Sequence, residues 1–182
     1  MNIPNLITIC RAVLVPLIFW LLITGRAQTA FFFFVVAGIS DALDGFLAKK
    51  FSWQTELGAH LDPLADKLLI VSVFIALGVL GELPSWLVVA VVSRDILIVL
   101  GVLVAWLLSR PLKIQPLTVS KANTAAQIIL AATVLADVGF GLGLAEFRVI
   151  MVWTTAILTL LSLGAYVWAW LAHMSDPHES DA

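Results

Sequence analysis

Long apolar runs separated by short polar breaks set the expected architecture of this chain. Six apolar segments can be drawn, at about 5–24, 29–49, 59–80, 85–108, 119–137 and 147–172. Each is close to the roughly 20 residues that an α-helix needs to cross the hydrocarbon core of a bilayer. Gly25 and Arg26 break the first run from the second, residues 49–55 the second from the third, and residues 81–84 the third from the fourth. Pro111 and Pro116 place a loop at 109–116, and Gly139, Gly141 and Gly143 predict another over 137–146. The expected fold is therefore an all-α integral membrane protein of six transmembrane helices. One domain covers 1–174, and a polar tail with Pro177 covers 175–182. The first run has no basic residues ahead of it and is interrupted by Arg11, so it reads as a spanning helix rather than a cleaved leader.

Composition supports lipid as the solvent. The chain is 62% hydrophobic and only 12% charged, with a formal net charge of −2. Soluble domains carry roughly 25% charged residues. Such a balance excludes nucleic acid as the partner. The single cysteine, Cys10, provides neither a disulfide framework nor a thiolate metal site. Lys49, Lys50, Arg110, Lys113 and Lys121 fall on one side of the six expected spans, and only Arg26 and Arg148 on the other. By the positive-inside rule both termini and the 49–58 loop are expected to be cytoplasmic. Trp53, Trp86, Trp106, Trp168 and Trp170 lie near expected helix ends, as an interfacial aromatic belt requires. No inverted repeat of the transporter kind is visible.

Against this apolar background stand four aspartates, Asp41, Asp44, Asp62 and Asp66. Each would cost about 2.5–3.5 kcal/mol at the centre of a spanning helix, so a compensating group is expected. Asp41, Asp44, Gly45 and Ala48 follow i, i+3, i+4, i+7 spacing, one stripe of the second helix. Gly58, Asp62 and Asp66 recur every four residues on the third. A short connection makes the two helices antiparallel neighbours, so the carboxylate stripes are expected to face each other near the basic end. Small residues at 45, 48 and 58 leave room for a bulky ligand or a close backbone approach. Clustered carboxylates suit Mg²⁺ or Mn²⁺, hard cations that share oxygen ligands with substrate phosphates. Two such ions can hold a diphosphate and stabilise a departing phosphate oxygen, while one carboxylate takes a proton from an attacking hydroxyl. Two other readings use the same acids. They could pair with Lys49, Lys67 or Arg94 and set helix register, or line a cation or proton pathway.

The run from Asp41 to Asp66 resembles the signature of the CDP-alcohol phosphotransferases, Asp-x2-Asp-Gly-x2-Ala-Arg-x8-Gly-x3-Asp-x3-Asp. Every spacing matches; the one departure is Lys49 where the family has arginine. Lysine keeps the charge but loses the planar fork that grips phosphate with two bonds. The resemblance implies a homodimer of six-helix subunits that uses divalent metal, two ions at the aspartate site, to transfer a phosphatidyl group from CDP-diacylglycerol. It implies metal binding by Asp41, Asp44 and Asp62, with Asp66 assisting and serving as general base. Gly45, Ala48, Lys49 and Gly58 would border the CDP moiety.

Beyond the signature, the chain resembles most the CDP-alcohol type of cardiolipin synthase. The opening from Ile3 to Arg11 and the stretch from Leu61 to Lys67 are shared with phosphatidylglycerophosphate synthases. Ser93, Arg94 and Asp95 in the fourth segment and residues 119–127 in the fifth point to the cardiolipin branch. The sixth segment adds only hydrophobicity to the resemblance. The implied acceptor is phosphatidylglycerol, with glycerol 3-phosphate as the alternative. Arg94, Lys121 and Arg11 are the cations expected at the acceptor phosphate, and Asn5 is expected near the diphosphate. Arg94 with Asp95 could equally be a buried ion pair, and Lys121 a snorkelling side chain.

Overall fold

The computed structural model describes residues 3–51, 56–107 and 118–175, with side chains described for 13–40, 67–98, 100 and 118–171. Six helices follow one another: α1 (Ile3–Ile23), α2 (Ala27–Phe51), α3 (Glu56–Val79), α4 (Ser85–Leu107), α5 (Thr118–Phe140) and α6 (Ala145–Ser175). Among the described residues there is no strand. The described residues form an all-helical fold, and all six helices begin and end within three residues of the apolar segments read from the sequence. The sixth, α6, runs to 31 residues, about 46 Å at 1.5 Å per residue.

The turns that close the helices explain why the breaks fall where they do. At the end of α1 Gly25 takes φ of 76°, which lets Arg26 N reach Leu21 O at 2.8 Å and Gly25 N reach Leu22 O at 3.0 Å. This paired capping satisfies carbonyls that the helix end would leave unbonded. Gly81, with φ of 77°, closes α3 the same way through Glu82 N to Leu77 O at 2.9 Å. The loop expected over 137–146 is shorter than its glycines suggested. α5 continues to Phe140 and α6 starts at Ala145, leaving a turn of 141–144. Asp137 remains helical and reaches forward instead, its Oδ1 accepting Leu144 N at 2.9 Å. Gly139 is a packing glycine: a Cβ there would lie 2.9 Å from Gln28 Cα on α2.

The helices close on one another in the order α2, α1, α3, α4, α6, α5, with α5 returning to α2 and α3 also touching α5. Ile18, Leu22, Ala30, Phe74, Leu77, Leu87, Leu130 and Val134 fill the apolar core at the end near the 24–26, 80–84 and 141–144 turns. The outside is as apolar as the inside. Phe32, Val36, Ile75, Val89, Ile96, Ile129, Trp153, Leu160 and Trp168 are all exposed. Among the described residues the buried polar ones, by contrast, are Arg94, Asp95, Asn123, Gln127, Thr155, Thr159 and Ser162. Among the described residues, α5 and the stretch Ala145–Leu171 of α6 are long and apolar enough to cross a membrane.

Candidate functional site

The aspartate signature lies on two of these helices. Asp41, Asp44, Gly45, Ala48 and Lys49 fall within the last half of α2, and Gly58, Asp62 and Asp66 within the first half of α3. The helical spacing read for both stripes is thus the spacing of actual helix turns. The direct packing of the second helix on the third, expected from their short connection, is corrected: among the described residues α1 lies against both α2 and α3. The side chains of these eight residues, and those of Asn5 and Arg11 on α1, lie outside the described ones.

The described site begins one residue after Asp66. Lys67 Nζ stands 3.5 Å from Asp95 Oδ1, linking α3 to α4. The same oxygen accepts from Nη1 of Arg94, whose side chain is among the most buried in the protein, with 1% of the residue exposed. Arg94 then crosses to the other two helices. Its Nη2 donates to Ser120 Oγ on α5 at 2.7 Å and to Ser162 Oγ on α6. The ring of Tyr166 lies 5.5 Å from the guanidinium carbon, within cation–π range. One arginine therefore fastens α4 to α5 and α6, while Asp95 fastens it to α3. The ion pair allowed for in the sequence is present, and Lys67 and Arg94 both face the one carboxylate of Asp95, which leaves the trio with a net positive charge. Lys121, next to Ser120, is exposed.

From Ser120 and Ser162 a polar seam runs along the α5–α6 contact. Thr159 Oγ1 donates to Asn123 Oδ1 at 3.0 Å, and both residues are fully buried. Further along lie Gln127 and Thr155, buried as well. Among the described residues Arg94 Nε, Asn123 Nδ2, Gln127 Nε2 and Thr155 Oγ1 have no hydrogen-bond partner. The seam is a correction to the sequence reading, in which the sixth segment contributed only hydrophobicity. Thr155, Thr159, Ser162 and Tyr166 are spaced by four, three and four residues, one stripe of a helix. That spacing was the available signal. It was hidden because the intervening residues are strongly apolar.

A second polar cluster ties the opposite end. Arg148 Nη1 donates to Asp137 Oδ2 at 3.0 Å, and Nη2 donates to Glu82 Oε2 at 2.8 Å and to Glu82 O at 2.6 Å. This joins the α3–α4 turn, the end of α5 and the start of α6. It accounts for one of the two cations on the less basic side as a structural residue.

Comparison with known proteins places the chain in a class. It matches the CDP-alcohol phosphatidyltransferase family over residues 1–161. The protein belongs to that family, whose members are transferases. It is 36% identical over 176 residues to a Drosophila melanogaster protein named probable cardiolipin synthase (CMP-forming), covering 95% of this chain and 50% of that one. It is 35% identical over 185 residues to the chloroplastic CDP-diacylglycerol–glycerol-3-phosphate 3-phosphatidyltransferase 1 of Oryza sativa subsp. japonica, covering 91% of this chain and 56% of that one. The Escherichia coli K12 CDP-diacylglycerol–glycerol-3-phosphate 3-phosphatidyltransferase is 32% identical over 184 residues, covering 96% of this chain and 98% of that one. The chain thus spans about half the length of the first two relatives and nearly all of the third.

Proposed function

We propose that this protein is a metal-dependent phosphatidyltransferase that moves the phosphatidyl group of CDP-diacylglycerol to a glycerol-based alcohol and releases CMP. The observation that carries this reading is the aspartate signature on α2 and α3 of a chain belonging to the family. The donor set fits Mg²⁺ or Mn²⁺: four carboxylates are hard oxygen ligands, and the apolar setting demands a positive counter-charge. Asp41, Asp44, Asp62 and Asp66 would hold two such ions, which when bound polarise the diphosphate phosphorus and neutralise charge on the leaving phosphate. Gly45, Ala48 and Gly58 give the cytidine diphosphate room, and Lys49 and Asn5 bind its phosphates.

The chemistry asked of the chain's own residues is then limited. The acceptor hydroxyl oxygen forms a bond to the phosphorus that carries the diacylglycerol oxygen. The bond from that phosphorus to the oxygen of CMP breaks, and CMP leaves with the electron pair. Asp66 takes the hydroxyl proton as the new bond forms. Arg94, Lys121 and Arg11 hold the acceptor phosphate.

For the acceptor we propose phosphatidylglycerol, making cardiolipin the product. Ser93, Arg94 and Asp95 and residues 119–127 support it. Glycerol 3-phosphate is the second reading, favoured by the names of the rice and bacterial relatives.

All six helices are proposed to span the membrane, with the aspartates and both termini on the cytoplasmic side, and two copies to form a homodimer. The inside-out distribution of polarity supports the first point. Exposed Phe32, Ile75, Val89, Ile129 and Leu160 on five helices suit lipid, while the buried polar seam stays inside. Trp20, Trp86 and Trp153 near the 24–26, 80–84 and 141–144 turns suit an interface.

Purified protein with CDP-diacylglycerol and Mn²⁺ should release CMP when an acceptor is added, and Asp66→Asn should abolish that release. Full activity in Asp66→Asn would remove the assigned base.

A further inference from the structure

Arg94 is held at three points and left open at one. Asp95 takes Nη1, Ser120 and Ser162 take Nη2, and Tyr166 lies within cation–π range. Nε is buried and has no partner among the described residues. A buried N–H without an acceptor is costly, and a charged one more so. The pattern is that of a guanidinium whose plane is set by protein groups while its buried Nε–H is left without an acceptor among the described residues.

Asp95 is the key tether. It is 8% exposed and is the carboxylate that meets Arg94 among the described residues, and its Oδ1 also faces Lys67. Adjacent residues on a helix do not share a face, so Arg94 must fold back along α4 to reach it. That bend aims the rest of the guanidinium at α5 and α6. The contact with Lys67, one residue after Asp66, sets the same carboxylate against the helix that bears the proposed base. An acceptor anion at Arg94 and an attacking hydroxyl at Asp66 must be held at a fixed separation, and Asp95 is the group that touches both sides.

We infer that Asp95 is a positioning residue for the acceptor: it orients Arg94 so that Nε–H binds an anionic phosphate oxygen, and it fixes that oxygen relative to α3. The inference rests on the transferase reading and adds a residue to it. Lys121 is exposed beside Ser120.

The test is steady-state CMP release by the full chain in micelles with Mn²⁺. CDP-diacylglycerol is varied in one series, and phosphatidylglycerol or glycerol 3-phosphate in the other. Asp95→Asn keeps the shape and removes the charge. It should raise KM for the acceptor about tenfold or more while KM for CDP-diacylglycerol stays within about twofold, and Asp95→Glu should recover most of the loss. A parallel rise in both KM values, a fall in kcat alone, or an unchanged acceptor KM would overturn the inference. Should Asp95→Asn not fold, the double variant Ser120→Ala with Ser162→Ala carries the same expectation, and an unchanged acceptor KM there overturns it equally. No CMP release by the wild type with either acceptor would instead overturn the transferase reading. In that case thermal protection by glycerol 3-phosphate decides. Protection in the wild type that is lost in Asp95→Asn supports the anion site, and equal or absent protection refutes it.

Discussion

Thr159 donates to Asn123 at 3.0 Å between two fully buried side chains, and this bond sets the antiparallel register of α5 and α6. Three residues back on α5 and three forward on α6, Ser120 and Ser162 share the same nitrogen of Arg94. Continuing by four residues the other way brings Gln127 opposite Thr155. Both are buried, and Gln127 Nε2 and Thr155 Oγ1 have no partner among the described residues. Beyond them Leu130, Ala131 and Val134 close the seam with apolar contacts.

The register gives a first prediction. An unpaired buried amide costs about 1–3 kcal/mol, and replacing it with an apolar side chain of similar shape removes that cost. Gln127→Leu with Thr155→Val is therefore expected to hold or raise the melting temperature in micelles. Asn123→Leu, which strands the Thr159 hydroxyl, is expected to lower it. A clear loss in the Gln127 and Thr155 variant would mean that these groups bind an internal water or each other.

Much of the fold could be read in advance because its signal is one-dimensional. The apolar runs are as long as the helices, and Gly25 and Gly81 mark their ends through a backbone conformation that other residues avoid. The aspartate spacing was equally legible, since both stripes fall on helices. What could not be read is lateral. The short connection suggested that the second and third helices are direct neighbours, whereas α1 packs between α2 and α3, and the order of segments does not show that α5 returns to α2. Gly139 looked like a loop residue because a glycine in a turn and a glycine at a helix contact are identical in sequence. Arg94 was recognised as important, but Ser162 and Tyr166 were not, because their pairing depends on the register of α6.

The Arg148 cluster offers a stability test at the end away from the aspartates. Arg148→Met removes charge-assisted bonds to Asp137 and Glu82. Bonds to charged groups are stronger than neutral ones, and partial exposure to solvent here keeps their contribution modest. Thermal unfolding of the variant should fall by several degrees, while KM for CDP-diacylglycerol is unchanged. A shift in that KM without a change in stability would show that the cluster reaches the site.

Two glycines on neighbouring helices should respond in opposite ways. At Gly139 an added Cβ would meet Gln28 Cα at 2.9 Å and Gln28 N at 3.0 Å, both backbone atoms that cannot swing aside. Gly139→Ala should cost about 1–3 kcal/mol by forcing α5 from α2. Gly164 on α6 has open space around it, so Gly164→Ala should stabilise by up to about 1 kcal/mol through helix propensity. Melting temperatures of the two variants check both signs, and equal effects would contradict the α2–α5 approach.

The proposed metal dependence has a direct test in chelation. EDTA treatment of the purified protein should abolish CMP release, and Mg²⁺ or Mn²⁺ should restore it. Asp41→Asn and Asp62→Asn should lower activity by about two orders of magnitude or more while leaving the helical content intact. Activity that survives chelation would remove the metal from the mechanism.

Product analysis tests the central claim most directly. Purified protein in micelles receives CDP-diacylglycerol and Mn²⁺ or Mg²⁺, with phosphatidylglycerol in one reaction and glycerol 3-phosphate in another. Cardiolipin and CMP in the first reaction alone is the expected result. Phosphatidylglycerophosphate in the second alone would keep the aspartate chemistry and overturn the acceptor. Folded, metal-loaded protein that releases CMP in neither would contradict the transferase reading itself.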